Sequence, residues 1–214
     1  MAKLSPAQRA PRVLAALRRL FPQANCALNH ANPFQLLAAT ILSAQCTDVM
    51  VNKVTPGLFA KYPDAAALAD AKPAELEKLI HSTGFYRNKA KNLIGMATAV
   101  RDNFKGEIPR TMEELLTLPG VARKTANVVL GSGFAIAEGI VVDTHVIRLS
   151  GRLGLTRHKT PEKIERALVK LFPRESWIYL SHALILHGRS LCSARAPKCG
   201  DCPMNSFCPV AKTE

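Results

Sequence analysis

A lysine lies at the start of a short apolar segment in LPGVARKTANVV, residues 118–129. The Pro-Gly pair predicts a tight turn in which Gly120 takes a positive φ, and the residues after it predict a helix with Lys124 in its first turn. The positive end of a helix dipole disfavours a cation there. Lys124 is therefore either a cation that binds phosphate or an amine held for nucleophilic attack, and these residues alone favour the phosphate contact.

The turn itself is a second candidate for phosphate binding. Its backbone N–H groups, together with those that open the next helix, form an anion site. The residues that would make this contact are Gly120, Val121, Ala122 and Arg123.

A carboxylate follows an apolar run further along the chain, in VVDTHV. Asp143 is well placed to be the N-cap of the helix that follows. Facing a lysine, the same carboxylate would accept a proton or stabilise a developing positive charge. The spacing does not decide between these roles, and one residue can fill both.

Four of the six cysteines form a C-x6-C-x2-C-x5-C pattern near the C-terminus, at Cys192, Cys199, Cys202 and Cys208. Zinc modules usually combine two short pairs, whereas this pattern has only one. Four thiolates in a wrapped loop favour a [4Fe–4S] cluster, with zinc and then disulfides as alternatives. Arg195 and Lys198 lie between the first two cysteines and are either solvated loop cations or phosphate contacts.

The elements that must position these residues are helices. Apolar residues three and four apart recur along the chain, nothing alternates with period two over the length of a strand, and the fold is predicted to be all-α. Asp48 is predicted to cap one helix, which Pro56 would break or restart. Ile140–Val142 is predicted to be a buried linker, and the chain crossing at residues 137–139 is the predicted domain boundary.

The charge balance points to a polyanionic partner. The chain has 29 Lys and Arg against 16 Asp and Glu, a formal charge of +13. Phosphate neutralisation drives binding through counterion release, so nucleic acid is favoured over a membrane surface. The sequence contains no stretch of about 18 consecutive apolar residues, so no membrane-spanning helix is predicted. The N-terminal residues do not look like a secretory signal. Cysteines grouped as for a metal site indicate a reducing compartment, the cytoplasm.

In combination these motifs resemble the endonuclease III family of DNA glycosylases, within the helix–hairpin–helix superfamily. The resemblance runs from about Phe21 to Cys208 and is carried by LLAATILSAQCTDVMVNKVTPGLF, STGFYRNKAKNLIG, TLPGVARKTANVVL, VVDTHVIRLSGRLG and the four-cysteine ending. It implies two helical lobes with double-stranded DNA in the cleft between them. One would be a helical barrel, residues 24–136, with the helix–hairpin–helix at about 112–130. The other would join residues 1–23 to residues 137–214 and hold the [4Fe–4S] cluster.

The resemblance also implies an activity: removal of oxidised pyrimidines from duplex DNA, then β-elimination at the abasic site through a lysine Schiff base. Lys124 would be the nucleophile and Asp143 the catalytic carboxylate. Gln45 and Phe85 match the positions that fill the gap left by the flipped base. The protein would work as a monomer on the DNA of the nucleoid.

Three residues depart from the family pattern. Ala122 replaces the second glycine of the hairpin, Cys46 replaces another small residue beside Gln45, and Phe85 replaces a common aliphatic residue. Two alternative functions stay open. An adenine-specific mismatch glycosylase of the same superfamily lacks the catalytic lysine, which argues against it here, and a non-catalytic helix–hairpin–helix protein would use Lys124 only to bind phosphate.

Overall fold

The computed structural model describes residues 4–211, and within them the chain forms eleven α-helices and no β-strand, which confirms the all-α prediction. The helices are α1 (Pro6–Leu20), α2 (Pro33–Leu42), α3 (Asp48–Lys61), α4 (Ala65–Ala69), α5 (Pro73–Ile80), α6 (Tyr86–Phe104), α7 (Met112–Leu116), α8 (Arg123–Val128), α9 (Thr144–Arg152), α10 (Pro161–Leu171) and α11 (Trp177–Ser190). Between residues 4 and 211, none of these helices has both the length and the apolar character needed to cross a membrane.

The chain divides into two compact units. The hairpin unit is Cys26–Ile136, and the cysteine unit joins residues 4–25 to residues 137–211.

In the hairpin unit the core forms around α6, which packs against α2, α4 and α5. Leu36 and Leu37 on α2 and Leu93 and Met96 on α6 are fully buried. Burial of each such side chain contributes about 1.5–3 kcal/mol, so this core fixes α6 as the scaffold of the unit.

The N-cap of helix α3 lies one residue before the predicted cap, and Pro56 does not interrupt the helix. Its N-cap is Thr47, whose hydroxyl accepts a hydrogen bond from the Met50 N–H at 3.3 Å, so the prediction of Asp48 as the cap was wrong by one residue. Asp48 is instead the first helical residue, where its charge still favours the positive end of the dipole. The helix also continues through Pro56, with Val51 before the proline and Leu58 after it buried in the same core.

The core of the cysteine unit is formed by α1, α9, α10 and α11. Residues 140–142 are buried without helix or strand, as predicted for a linker. The Val141 N–H donates to the Ser181 hydroxyl at 2.9 Å, so the buried backbone there keeps a hydrogen-bond partner.

Candidate functional site

The predicted hairpin is formed by α7, a turn and α8. Thr111 caps α7 by accepting a hydrogen bond from the Glu114 N–H at 3.3 Å, and its hydroxyl donates to the Glu114 carboxylate at 2.8 Å. The turn closes where the Val121 N–H donates to the Leu118 carbonyl at 3.1 Å, and Gly120 takes φ +77°. The geometry expected for Gly120 is therefore present.

The hairpin turn packs directly on α6. A Cβ at Gly120 would lie 2.9 Å from the Cβ of Asn92, and a Cβ at Gly95 would lie 3.2 Å from Cγ of Pro119. Both glycines allow a close approach of backbone to side chain. The position of the turn is thus set by one face of α6.

The residues after the turn are exposed at the start of α8. Ala122 is the N-cap, and Arg123 and Lys124 are the first two helical residues. Val121 is buried beneath them. Lys124 is therefore an exposed residue in the first turn of α8.

Asp143 is the N-cap of α9, as one of its two predicted roles requires. Its Oδ1 accepts a hydrogen bond from the Val146 N–H at 2.8 Å, and the residue is half-buried. A carboxylate can accept about four hydrogen bonds, so capping leaves it the capacity for a second role. Asp143 belongs to the cysteine unit and Lys124 to the hairpin unit.

Gln45 and Phe85 share an uncommon backbone conformation. Both lie in the left-handed region, with φ of 52° and 48°, in the loops that precede α3 and α6. Such a conformation costs a non-glycine residue about 1–3 kcal/mol and persists only where the surrounding structure enforces it. The Phe85 side chain is 66% exposed, so the core does not explain its position.

The four cysteines of the C-terminal pattern line one cavity of about 310 Å³. The cations at its wall are Arg152, Arg195 and Lys198, and the last two are exposed loop residues. Arg152 donates to the Cys192 sulfur at 3.3 Å and to the Ser193 carbonyl at 2.6 Å. The structure thus brings together the four predicted ligands and surrounds them with positive charge.

These residues fit an iron–sulfur cluster better than a single ion. Zinc would need its four ligands to converge at about 2.3 Å from one point, whereas a cavity of about 310 Å³ has room for a larger group. Burial raises the pKa of the Cys202 and Cys208 thiols, and the neighbouring cysteines raise it further. Thiolates at these positions would need a bound cationic centre to stabilise their charge, and a [4Fe–4S] cluster would supply one.

Comparison with known proteins agrees with this architecture. The chain belongs to the HhH-GPD superfamily, whose model, described as a base excision DNA repair protein, matches residues 38–174. A second model, the iron-sulfur binding domain of endonuclease III, matches residues 192–208 and contains all four cysteines. The chain belongs to the endonuclease III family, and its cofactor is the [4Fe–4S] cluster.

Relatives over the full length support the same assignment. An endonuclease III from Synechocystis sp. is 57% identical over 97% of this chain and 95% of its own length. A solved non-covalent endonuclease III–DNA complex is 44% identical, with a TM-score of 0.90 and 95% of each chain covered. A trapped endonuclease III–DNA covalent intermediate matches with the same values.

One functional candidate did not emerge from the sequence. Lys89 is only 4% exposed, and its ammonium hydrogen-bonds two backbone carbonyls in the hairpin unit. Its spacing offered a signal, because Lys89, Leu93 and Met96 are four and three residues apart on the buried face of α6. A lysine on the core-facing side of a helix marks a paired buried charge.

Proposed function

We propose that this protein excises oxidised pyrimidines from double-stranded DNA and then cleaves the abasic site through a Schiff base on Lys124. The observation that carries the proposal is an exposed amine in the first turn of α8, directly after the hairpin turn, in a chain of the endonuclease III family. A non-catalytic DNA-binding protein would use the same amine only to bind phosphate, so covalent trapping separates the two functions.

The reaction proceeds in two steps at the amine. The nitrogen of Lys124 forms a bond to C1′ of the sugar as the glycosidic bond breaks, and the base leaves with a proton. O4′ takes a proton as the C1′–O4′ bond breaks and the ring opens, and the resulting protonated Schiff base makes the C2′ proton acidic. Loss of that proton breaks the C3′–O bond, and the strand is cleaved on the 3′ side by β-elimination. Water then hydrolyses the Schiff base and frees the lysine.

Asp143 supplies the carboxylate for these steps. It removes a proton from the attacking amine and stabilises positive charge at the sugar as the base departs. Its hydrogen bond to the Val146 N–H fixes the carboxylate while the reaction proceeds.

The remaining contacts hold the DNA and open it. The hairpin residues Gly120–Arg123 bind a phosphate through backbone N–H groups and the arginine charge. Phe85 and Gln45 enter the base stack where the damaged base leaves it; a lesion lowers the cost of that unstacking. Arg195 and Lys198 contact phosphates from the loop that the cluster closes.

Cys192, Cys199, Cys202 and Cys208 hold the [4Fe–4S] cluster. When bound, the cluster closes the loop that carries the two cations, because metal binding releases folding free energy. The chain's own contribution is the hydrogen bond from Arg152 to the Cys192 sulfur and the buried wall of the cavity.

We further propose that the protein acts as a monomer on the DNA of the nucleoid, in the cytoplasm. The formal charge of +13 supports this, because it favours a polyanion and opposes self-association. Sedimentation of the protein with and without a lesion-bearing duplex gives the stoichiometry.

The central experiment is an excision panel combined with covalent trapping. The wild-type protein is incubated with duplexes that carry one oxidised pyrimidine, and borohydride reduces any Schiff base to a stable adduct. Peptide mapping is expected to locate the adduct on Lys124. Binding without excision or an adduct would instead assign the protein as a non-catalytic DNA binder.

A further inference from the structure

The ammonium group of Lys89 connects two separate segments of the hairpin unit. It donates to the carbonyl of Leu42 and to the carbonyl of Thr83, each at 2.8 Å. The first carbonyl is 47 residues away along the chain and the second is six. A single buried side chain therefore ties together the end of α2 and the segment just before α6.

The two tied segments are the ones that lead to Gln45 and Phe85. Leu42 is the last residue of α2, three positions before Gln45, and Thr83 ends the 3₁₀ segment two positions before Phe85. The backbone N–H of Lys89 also donates to the Phe85 carbonyl at 3.1 Å. Lys89 thus holds the backbone beside both left-handed residues.

Lys89 is retained at a cost. Burial lowers its pKa, and the nearby Cys46 thiol, in the Gln45 loop, partly opposes that shift. An apolar residue on the core-facing side of α6 would be buried at a lower free-energy cost, since a buried charge is unfavourable unless it is paired. The two hydrogen bonds of Lys89 must therefore fix a backbone arrangement that an apolar residue could not fix.

The two loops need such a constraint. Left-handed backbone at a bulky residue persists only where neighbouring contacts over-determine it. A buried cation that donates to both carbonyls fixes the separation of the loops. It also adds no atom to the exposed surface.

We infer that Lys89 is a positioning residue that holds the Gln45 and Phe85 loops at a fixed separation, so that both side chains engage the same base pair. This inference rests on the proposed function, because it concerns how the damaged base is exposed. It assigns no role to Lys89 at the reacting atoms.

A double-mutant cycle on the cluster-loaded protein tests the inference. Lys89→Met, Phe85→Ala and the double variant are compared with wild type for single-turnover excision of an oxidised pyrimidine. We expect Lys89→Met to slow excision on the order of 10²-fold, because small misplacements of positioning groups have effects of that size. In the Phe85→Ala background the same change should cost clearly less than in the wild-type background, because coupled residues are non-additive, with the remaining loss coming from the Gln45 loop. Affinity for undamaged duplex should stay within about two-fold, because the hairpin contacts are unchanged.

Controls separate this inference from a loss of folding and from a failure of the proposed function. Lys78→Met removes an exposed lysine from α5 and should match wild type. If Lys89→Met does not fold, Lys89→Gln, which keeps a donor, enters the same cycle; failure of both to fold would assign Lys89 to stability alone and overturn the inference. Additive effects in the cycle would also overturn it. Wild-type protein that neither excises the base nor forms the Lys124 adduct would refute the proposed function instead.

Discussion

Gly120 has φ +77°, whereas Ala122, two residues further along the hairpin, has φ −99°. Only the first position needs glycine. Ala122 is an extended N-cap, and its carbonyl accepts the Ala126 N–H at 3.0 Å. The departure of this sequence from the family's second glycine therefore leaves the backbone of the turn without strain.

The two hairpin positions should respond oppositely to substitution. Gly120→Ala should lower the free energy of unfolding by about 2 kcal/mol or more, because a left-handed alanine is strained and its Cβ would meet Asn92. Ala122→Gly should change it by less than about 1 kcal/mol, because the N-cap preference of glycine offsets its entropy cost. Denaturant unfolding measures both. A large gain of DNA affinity in Ala122→Gly would contradict the view that the turn is already complete.

Lys124→Gln should abolish covalent chemistry and leave DNA binding largely intact. The amide is not a nucleophile, so no borohydride adduct should form on abasic DNA. One phosphate-facing charge is lost at most, so the salt dependence of DNA affinity should change by a slope of about 1 or less. Lys78→Gln, at an exposed site on α5, is the matched control for the loss of one charge. Trapping that survives in Lys124→Gln would show that another residue is the nucleophile.

Asp143 allows its capping role and its catalytic role to be measured separately. Asp143→Asn should keep the stability of wild type, because asparagine and aspartate cap helices about equally. Asp143→Ala, in contrast, should lower the free energy of unfolding by about 1 kcal/mol, because the hydrogen bond to the Val146 N–H disappears. Both variants should excise the base on the order of 10²–10⁴-fold more slowly, since the carboxylate is lost in each. Thermal unfolding and single-turnover rates provide the comparison; full activity in Asp143→Asn would limit the residue to capping.

Helix starts were readable from the sequence because capping is local. Ser5 and Thr111 each accept the N–H three residues ahead, as good N-cap residue types do. The start of α3 was misplaced because Thr47 and Asp48 are adjacent and both are good N-caps. Pro56 was misjudged for a different reason: the packing that carries α3 across it involves residues distant in sequence.

The residues of the candidate site also divide into those that a local sequence pattern reveals and those that only the folded chain reveals. The four cysteines were readable because their ligand spacing is a property of one short segment; that spacing favoured a [4Fe–4S] cluster over zinc, and the resemblance implied the same cluster. Lys89 was not found, because its two carbonyl partners lie in different segments and only the folded unit brings them together. The left-handed backbone of Phe85 was equally hidden, since no local pattern requires φ of 48° at a phenylalanine.

Loss of the cluster should weaken both folding and DNA binding. Cys199→Ser removes one of the four thiolates, so the visible absorbance of the cluster should fall. The loop carrying Arg195 and Lys198 should then lose its order, and DNA affinity should drop with a salt slope reduced by about 1–2. Fluorescence anisotropy at several salt concentrations, beside circular dichroism, measures this. A variant that lacks the cluster but is folded and binds DNA normally would contradict it.

Phe85 should show a conflict between stability and function. At φ 48° glycine is favoured over alanine, so Phe85→Gly should be more stable than Phe85→Ala by about 1 kcal/mol. Little apolar burial is lost in either, because the side chain is 66% exposed. Both variants should nevertheless excise the base more slowly than wild type and to a similar extent, since both remove the ring that enters the base stack.

Comparing the two Phe85 variants separates backbone strain from side-chain insertion. If strain itself drove excision, Phe85→Ala, which keeps a strained residue, would retain much more activity than Phe85→Gly. Equal losses of excision rate would show that the aromatic ring, which the strained backbone presents, is the feature that drives excision. Denaturant unfolding gives the stability difference, and a fluorescent base analogue opposite the lesion reports unstacking directly. A stable Phe85→Gly variant with wild-type unstacking would show that residue 85 does not enter the stack.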